Sequence, residues 1–212
     1  MAQLYPFTDP IEADRSAPMR VIAGHGCHVT DESGVTYLDA VAGLWCASLG
    51  FADERLRAAA VRQMETLSYY HSFMGRTAEV TERLAERLVS HLPAPLSHVF
   101  FGCTGSDAVD SAVKVARFYQ NARGRTAKKR IVAREGGYHG SGIASASLTS
   151  MSYCHDGFDL ADENGVLRTG RPHHFRDAHP GESERAFSAR RAEELDAMIR
   201  AAGPETLTPS PA

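Results

Sequence analysis

The sequence predicts an α/β fold in which a mostly parallel sheet is flanked by helices. Long segments carry apolar residues at helical spacing, and short segments of apolar and small residues lie between them. Turns rich in glycine and other small residues join the two kinds of segment. Strands that alternate with long helices usually pair in parallel with helices on their faces, so we expect this architecture.

The composition is that of a globular protein, with 43% hydrophobic residues and a net charge of −3 over 212 residues. Basic residues are mixed with acidic ones, so we expect neither a nucleic-acid nor a membrane partner. The N-terminus lacks a secretory signal pattern, and no apolar run approaches the roughly 20 residues that span a bilayer. The four cysteines form no Cys-x-x-Cys pair and indicate free thiols. We therefore expect a cytoplasmic protein.

The first third of the chain predicts an extended arm, a hairpin and two helices. Residues 1–19 are polar and contain prolines, and alternation around Asp31–Glu32–Ser33–Gly34 predicts a β-hairpin. Asp53 is expected to cap the first helix and Thr77 the second, which ends before Pro93. The apolar faces expected for these helices comprise Leu56, Ala60, Met64 and Leu67 in the first, and Val80, Leu84, Ala85, Leu88 and Val89 in the second.

Residues 99–122 combine an apolar segment, a turn of small residues and a long helical pattern. We expect a strand at 99–101 and a helix from about 107 to 121, ended by Gly124, with a buried face. That face comprises Ala108, Ala112, Val115 and Tyr119. N–H groups at a helix start can hold an anion, and Thr104, Gly105 and Ser106 would suit one terminal phosphate. The turn lacks the dinucleotide and P-loop glycine patterns. The alternative is an ordinary strand-to-helix turn with Ser106 as N-cap.

The remaining segments predict two further strands and a last helix. The sequences RIVARE and IASASL are expected to form buried strands, and residues 159–184 a long polar loop. The last helix is expected from about Glu182 to Ala202. The histidines at 155, 173, 174 and 179 lack the spacing of metal ligands, so no metal site is predicted.

Residues 99–122 resemble the phosphate-binding segment of class III, fold type I pyridoxal-phosphate aminotransferases, usually written N-S-G-S-E-A-N-[DE]. The positions that fit are Thr104, Gly105, Ser106, Ala108 and Asp110, whereas Cys103, Asp107 and Val109 depart from the pattern. Three more segments match in the same order, within VTDESGVTYLDAVAGLWCASLGF, KKRIVAREGGYHGSGIASASLTS and the stretch from 173 to 206. Leu44–Trp45–Cys46 and the Tyr-His-Gly turn are similar to the amine–pyruvate (omega) type.

The resemblance implies pyridoxal 5'-phosphate as cofactor and small-molecule substrates, with an amino group passing from an amine or amino acid to a keto acid such as pyruvate. It implies that Thr104, Gly105 and Ser106 bind the phosphate, that Tyr138 stacks on the ring, and that His139 orients the turn. It further implies that Leu44, Trp45 and Phe73 line the substrate pocket. Plain structural roles stay open as alternatives for Tyr138, for His139 and for the three pocket residues.

The resemblance also implies a division of the chain. Residues 1–75 would hold the arm, hairpin and first helix of the small-domain side, and residues 76–206 the first part of the large cofactor-binding domain. Residues 207–212 contain two prolines and are interpreted as an aberrant tail, because proline excludes a central strand there.

No catalytic residue can be assigned, because the family's Schiff-base lysine and its ring-nitrogen aspartate lie beyond residue 212. The three lysines of the chain are Lys114, Lys128 and Lys129; we expect Lys114 to be a solvated helix residue and the other two to lie in a polar loop that leads to a strand. We therefore expect a truncated, incomplete N-terminal portion that is inactive and poorly soluble alone, from a family of homodimers. One alternative is a non-catalytic phosphate-binding or interaction module. Another is an unrelated phosphosugar- or nucleotide-binding protein, which Tyr138 and Leu44–Trp45–Cys46 disfavour.

Overall fold

The computed structural model describes residues 3–16, 18–160 and 165–208. The chain divides into two compact units, Met1–Val99 and Phe100–Ala212. The first contains α1 (Pro10–Arg15), β1 (Val21–His25), β2 (His28–Asp31), β3 (Thr36–Leu38), α2 (Ala42–Trp45), α3 (Glu54–Thr66) and α4 (Glu79–Val89). The second contains α5 (Gly105–Ala122), β4 (Ile131–Arg134), α6 (Ile143–Leu148), β5 (Val166–Thr169), α7 (His174–Asp177) and α8 (Glu184–Ala202), with short 3-10 turns at Ser152–Cys154 and Pro204–Thr206. None of these helices is long and apolar enough to cross a membrane, within the described residues.

The predicted hairpin is confirmed, and β1, β2 and β3 form one antiparallel sheet in that order. The carboxylate of Asp31 organises its turn, because one oxygen accepts the N–H groups of Ser33 and Val35 at 2.9 Å. The other oxygen accepts the Tyr37 hydroxyl at 2.9 Å. The hydrogen bond from the Ser33 hydroxyl, followed by these others, lowers the pKa of Asp31 although the residue is buried.

The two predicted helix starts of the first unit have different outcomes. Asp53 caps α3 as expected, with one carboxylate oxygen 2.9 Å from the Arg55 nitrogen and 3.0 Å from the Leu56 nitrogen. The prediction for Thr77 is wrong, because α4 starts one residue later, after Ala78, and has no side-chain cap. Ala78, the residue that directly precedes the observed start of α4, is buried.

The helices α3 and α4 form where their periodicity predicts, but their expected apolar faces are not covered. Leu56, Met64, Leu67, Val80, Leu84 and Leu88 are 40 to 67% exposed. Neither helix contains a buried residue. The periodicity of apolar residues therefore predicted where these helices form but not whether their apolar faces are buried. Exposed apolar faces of this kind mark surfaces that another protein surface covers.

The core of the second unit lies where α5 and α6 meet the strands β4 and β5, which pair in parallel. Its buried members are Val113, Ile131, Ala133 and Leu148, with Val109 and Val166 packed beside them. The buried face of α5 is not the expected one, because Val115 and Tyr119 are exposed while Val113 and Gln120 are buried. The helix carries apolar residues on more than one side, and its periodicity alone did not select the side that meets β4.

The prediction of a strand at IASASL is wrong, because these residues form α6. The hydroxyl of Ser147 donates to the Ile143 carbonyl oxygen at 2.8 Å, so a polar side chain is satisfied inside the helix. From β5, the guanidinium of Arg168 donates to the Ser147 and Leu148 carbonyl oxygens at 2.8 and 3.0 Å. A cation placed on the last carbonyls of a helix stabilises its end.

Two other segments differ in secondary structure from the prediction, and part of the expected tail is also described. The polar segment 159–184 contains strand β5 and helix α7, of which β5 pairs with β4; residues 161–164 lie outside the described residues. Residues 99–101 are not in a strand and have no strand partner among the described residues. Leu207 forms an isolated parallel bridge with Arg130, and Leu207 and Thr208 are both buried, whereas residues 209–212 of the expected tail lie outside the described residues.

The start of α8 is held by an ion pair between Glu182 and Arg190. Two guanidinium nitrogens of Arg190 donate to the two carboxylate oxygens at 2.8 Å, and the His179 N–H donates to one of them at 2.9 Å. The side chains are only 11% and 24% exposed. The hydrogen bonds from Arg190, and then that from His179, lower the pKa of Glu182 from 4.5 to about 2.

We predict that this pair makes part of the stability acid-sensitive. A depressed carboxyl pKa contributes stability that is complete above pH 4.5 and is lost as the pH falls towards 2. Glu182→Gln should therefore lower the thermal unfolding midpoint at pH 7, and the difference from the unaltered chain should shrink as the pH falls from 4.5 to 2. Glu193→Gln, on the exposed side of α8, is the control. A difference that stays constant with pH would contradict the prediction.

Candidate functional site

The start of α5 is fixed by two hydrogen bonds from backbone N–H groups to side chains. The hydroxyl oxygen of Thr104 accepts the Asp107 N–H at 3.1 Å, and the Asp107 carboxylate accepts the Cys103 N–H at 3.0 Å. The N-cap hydroxyl thus accepts from the third helical residue, and the carboxylate of that residue accepts from the residue before the N-cap, an arrangement related to the capping box. The N-cap is therefore Thr104, and the alternative that Ser106 caps the helix is wrong. Gly102 leaves room for the carboxylate, since a Cβ there would lie 2.8 Å from an Asp107 oxygen.

The first turn of α5 presents two backbone N–H groups, those of Gly105 and Ser106. The first N–H groups of a helix have no acceptor within the helix, and in the described ranges no acceptor is seen for these two. A Cβ added at Gly105 would meet no atom within 4 Å, so the space beside this residue is open. Together with the helix dipole of roughly half a positive charge, the two groups form a surface suited to an anion.

Two hydroxyl groups flank these amides, and both have a free hydrogen. The Thr104 oxygen accepts the Asp107 N–H, and the Ser106 oxygen accepts the Ser141 N–H at 3.0 Å. A hydroxyl that accepts a bond through its oxygen still has one hydrogen to donate. Thr104 and Ser106 can therefore each donate a hydrogen bond to an anion at the start of α5.

The Gly-rich turn before α6 and the first turn of α6 are each held against α5 by one hydrogen bond. Ser106 accepts the Ser141 N–H, and the Asp110 carboxylate accepts the Ser145 N–H at 2.7 Å. Gly140 lies directly on Ser106, because a Cβ there would be 2.7 Å from the hydroxyl oxygen. Its φ of +126° is also a conformation that side chains rarely adopt. Only glycine allows this close approach of the two segments.

Tyr138 and His139 lie in the same turn. The Tyr138 side chain is 52% exposed, which leaves its aromatic face accessible. The His139 N–H donates to the Thr149 hydroxyl oxygen at 2.9 Å, and the His139 ring lies against Gly137, where a Cβ would be 3.1 Å from the ring nitrogen. Thr149 is fully buried. His139 is thus engaged within the turn, while Tyr138 projects from it.

The three residues expected at the substrate pocket belong to the first unit and are all exposed: Leu44, Trp45 and Phe73. Leu44 and Trp45 lie in α2, which is a left-handed turn, with positive φ at Ala42, Gly43, Leu44 and Trp45. This conformation costs roughly 1–2 kcal/mol for each residue with a side chain. Phe73 lies in a separate turn, where its carbonyl oxygen accepts the Arg76 N–H. No hydrogen bond or ring contact in the described ranges joins Phe73 to the other two.

The lysines are placed away from the start of α5. Lys114 is exposed and follows Ser106 by eight helical residues, which corresponds to about 12 Å along the axis. The Lys128 ammonium donates to the Pro204 and Leu207 carbonyl oxygens, and the Lys129 ammonium contacts the Asn121 side chain. The expectation of a solvated lysine therefore holds for Lys114, whereas Lys128 has partners after the end of α8 and Lys129 has one near the end of α5. In the described residues, no three His, Cys, Asp or Glu side chains are grouped so that they could hold a metal ion.

Sequence reasoning missed two residues that shape the site. Asp110 was noted only as a match to a pattern, yet its carboxylate joins α5 to α6. Thr149 was noted only as part of a segment that matches the family, and its hydroxyl binds the Tyr-His-Gly turn. Nothing local to either residue signals a partner that lies 35 or 10 positions away in the sequence.

An α/β unit with a Gly-Ser turn at the start of a long helix, set against a turn that carries an aromatic residue, defines a candidate binding protein for a phosphate-bearing cofactor. The class-III aminotransferase family matches residues 11–206. The chain belongs to the class-III aminotransferases, a family that uses pyridoxal phosphate.

The chain is similar to curated aminotransferases and to solved transaminase structures. It is 42% identical over 207 residues to an uncharacterized aminotransferase of Sinorhizobium fredii, covering 96% of this chain and 44% of that one. It is 42% identical over 205 residues to the mitochondrial gamma aminobutyrate transaminase 1 of Solanum lycopersicum, covering 96% of this chain and 40% of that one. The omega transaminase of Pseudomonas jessenii, solved in complex with PMP, superposes with a TM-score of 0.93 and 44% identity, over 97% of this chain and 45% of that one.

These similarities confirm the resemblance and the α/β fold class. The chain spans less than half the length of the relatives it matches, in agreement with the expectation of an N-terminal portion.

We predict that Gly140→Ala loosens the turn before α6. The new methyl group would meet Ser106 and Ser145 at less than 3 Å in a conformation that disfavours side chains, so a loss of roughly 2–4 kcal/mol in the free energy of unfolding is expected. Gly157→Ala is the matched control, since its φ of +78° is also positive but no atom lies within 4 Å of the added carbon. That control should lose only about 1 kcal/mol. Equal losses in thermal or urea unfolding would contradict the contact with Ser106.

Proposed function

We propose that the start of α5 binds the 5'-phosphate of pyridoxal phosphate, and that the chain supplies this part of an aminotransferase of the omega type. The observation that carries the proposal is the free N–H pair of Gly105 and Ser106, with open space beside Gly105. The hydroxyl hydrogens of Thr104 and Ser106 add two donors. Four donors at one helix start match the acceptor oxygens of a terminal phosphate.

In this proposal the turn before α6 positions the ring of the cofactor. The exposed face of Tyr138 stacks on the pyridine ring, because offset stacking of flat aromatic groups is favourable. His139, whose N–H and ring are both engaged within the turn, orients Tyr138 and does not itself contact the ring. When bound, pyridoxal phosphate withdraws electrons from the α-carbon of an amino substrate.

The reaction proposed for the enzyme is transfer of an amino group from an amine or amino acid to a keto acid such as pyruvate. Membership in the class-III family and similarity to omega and gamma-aminobutyrate transaminases support it. Leu44, Trp45 and Phe73 are proposed to contact the apolar part of the substrate. The exposed stripes of α3 and α4 support an assembly, a homodimer in our proposal, in which these faces are covered. We place the enzyme in the cytoplasm.

We predict that Gly105→Ala separates phosphate binding from folding. The added methyl group meets no protein atom, and alanine suits a helix better than glycine, so the thermal midpoint should stay equal or rise. The same methyl group would occupy the space of a bound phosphate, and affinity for pyridoxamine 5'-phosphate should fall about tenfold or more, or about 1.4 kcal/mol. Titration calorimetry measures the affinity of the unaltered chain and of the variant for pyridoxamine 5'-phosphate. Pyridoxamine, which lacks the phosphate, is the control ligand. Equal binding of the two ligands, or unchanged affinity in the variant, would refute the phosphate site.

We also predict that residues 1–212 alone form no lysine adduct confined to one position. Lys114 is about 12 Å along α5 from the proposed phosphate site, and the ammonium groups of Lys128 and Lys129 have partners elsewhere. After incubation with pyridoxal phosphate and reduction with borohydride, peptide mass spectrometry should find only low, dispersed labelling, and amine-to-pyruvate transfer should be undetectable. A stoichiometric adduct at Lys114 would show that this lysine reaches the site.

A further inference from the structure

The segment that carries Leu44 and Trp45 is a closed loop, residues 39–51, whose two ends meet at one place in the first unit. The Asp39 N–H donates to the Cys27 carbonyl oxygen at 2.9 Å. At the other end, Phe51 and Gly26 exchange two backbone hydrogen bonds of 2.7 and 3.0 Å. Loops whose ends are held this close together behave as compact units, and many are functional.

Within this loop, four successive residues have positive φ, from +50° at Ala42 to +67° at Trp45. Gly43 and Leu44 have ψ values of 46° and 52°, so the backbone follows a left-handed helical turn. The Trp45 N–H closes that turn on the Val41 carbonyl oxygen at 2.8 Å. Three of the four residues carry side chains, which disfavour this conformation. Some other interaction has to hold the turn in place.

The Asp39 carboxylate provides that interaction. One of its oxygens accepts the Val41 N–H at 2.8 Å, and the other accepts the Gly43 N–H at 3.1 Å. Both oxygens are therefore used on the backbone just before and inside the left-handed turn. Phe51 closes the loop from the other side, because its ring lies 3.3 Å from the position that a Cβ on Gly43 would take.

We propose that Asp39 is a positioning residue that fixes the left-handed turn and thereby the directions of Leu44 and Trp45. Both side chains are mostly exposed, by 67% and 75%, so contacts of their own do not fix them. The backbone sets their direction, and Asp39 sets the backbone. That these two side chains meet a substrate rests on the proposed function, whereas their control by Asp39 does not.

The single tryptophan of the chain, Trp45, makes this control directly measurable. In Asp39→Ala, the fluorescence anisotropy of Trp45 should fall and chymotrypsin should cleave within residues 44–51 at least about tenfold faster, since two backbone hydrogen bonds no longer oppose local opening. Asp39→Asn, which keeps only one acceptor oxygen, should give an anisotropy and a cleavage rate between those of the unaltered chain and those of Asp39→Ala. Mass spectrometry follows the cleavage and needs only a low protein concentration.

Asp53→Ala is the matched control for a general loss of stability. Asp53 also accepts two backbone N–H groups, but at the start of α3 and outside the loop. It should lower the thermal midpoint without changing Trp45 anisotropy or cleavage within the loop. If both aspartate variants change the Trp45 signal equally, or neither does, the role of Asp39 is refuted.

A pair of alanine-to-glycine variants tests the left-handed turn itself. Glycine adopts positive φ without penalty, so Ala42→Gly should leave loop cleavage unchanged or slower and should partly rescue Asp39→Ala. Ala47→Gly makes the same chemical change at a residue of the loop without positive φ, and it should speed cleavage. Equal acceleration by both glycines would overturn the proposal. The proposed phosphate site is tested separately, by the affinity of Gly105→Ala in the other unit for pyridoxamine 5'-phosphate. If that test fails, the result for Asp39 is unaffected.

Discussion

The geometry of the candidate site depends on side chains of α5 that accept backbone N–H groups from the turn before α6 and from the start of α6. Ser106 takes the Ser141 N–H and Asp110 takes the Ser145 N–H. These bonds bring the Gly-rich turn onto the helix start, and Gly140 then fits against Ser106. Tyr138 has its place because the segment that carries it is fixed at these points and by Thr149.

The same device recurs in the first unit with carboxylates. Asp31 accepts two backbone N–H groups in the hairpin turn, and Asp39 accepts two in the left-handed turn. The carboxylate of a short side chain accepts hydrogen bonds from backbone N–H groups that have no partner in a helix or a sheet. Without it, these N–H groups of the loop would lack a protein acceptor. The chain thus uses local acceptors where its backbone leaves helix and strand geometry.

Features that follow from neighbouring residues could be predicted from the sequence, and features that depend on distant partners could not. The hairpin at Asp31, the cap at Asp53 and the long helix after Gly105 were predicted because each depends on residues a few positions apart. Segment IASASL was expected to be a strand, but its helix is held by Asp110 and Arg168, which are remote in sequence. The buried face of α5 was missed for the same reason, since the strand that selects it follows the helix.

The capped start of α5 has a consequence for the charge state of the anion it can accept. The groups available there are two N–H and two O–H donors, and all four can donate to oxygen atoms that carry no proton. A phosphate monoester loses its second proton near pH 6, and a dianion offers acceptors on all three terminal oxygens. A monoanion would carry one O–H group that the two backbone N–H groups could not accept. In the proposed phosphate site, these two amides would therefore favour the dianion, the form of the ester that prevails at neutral pH.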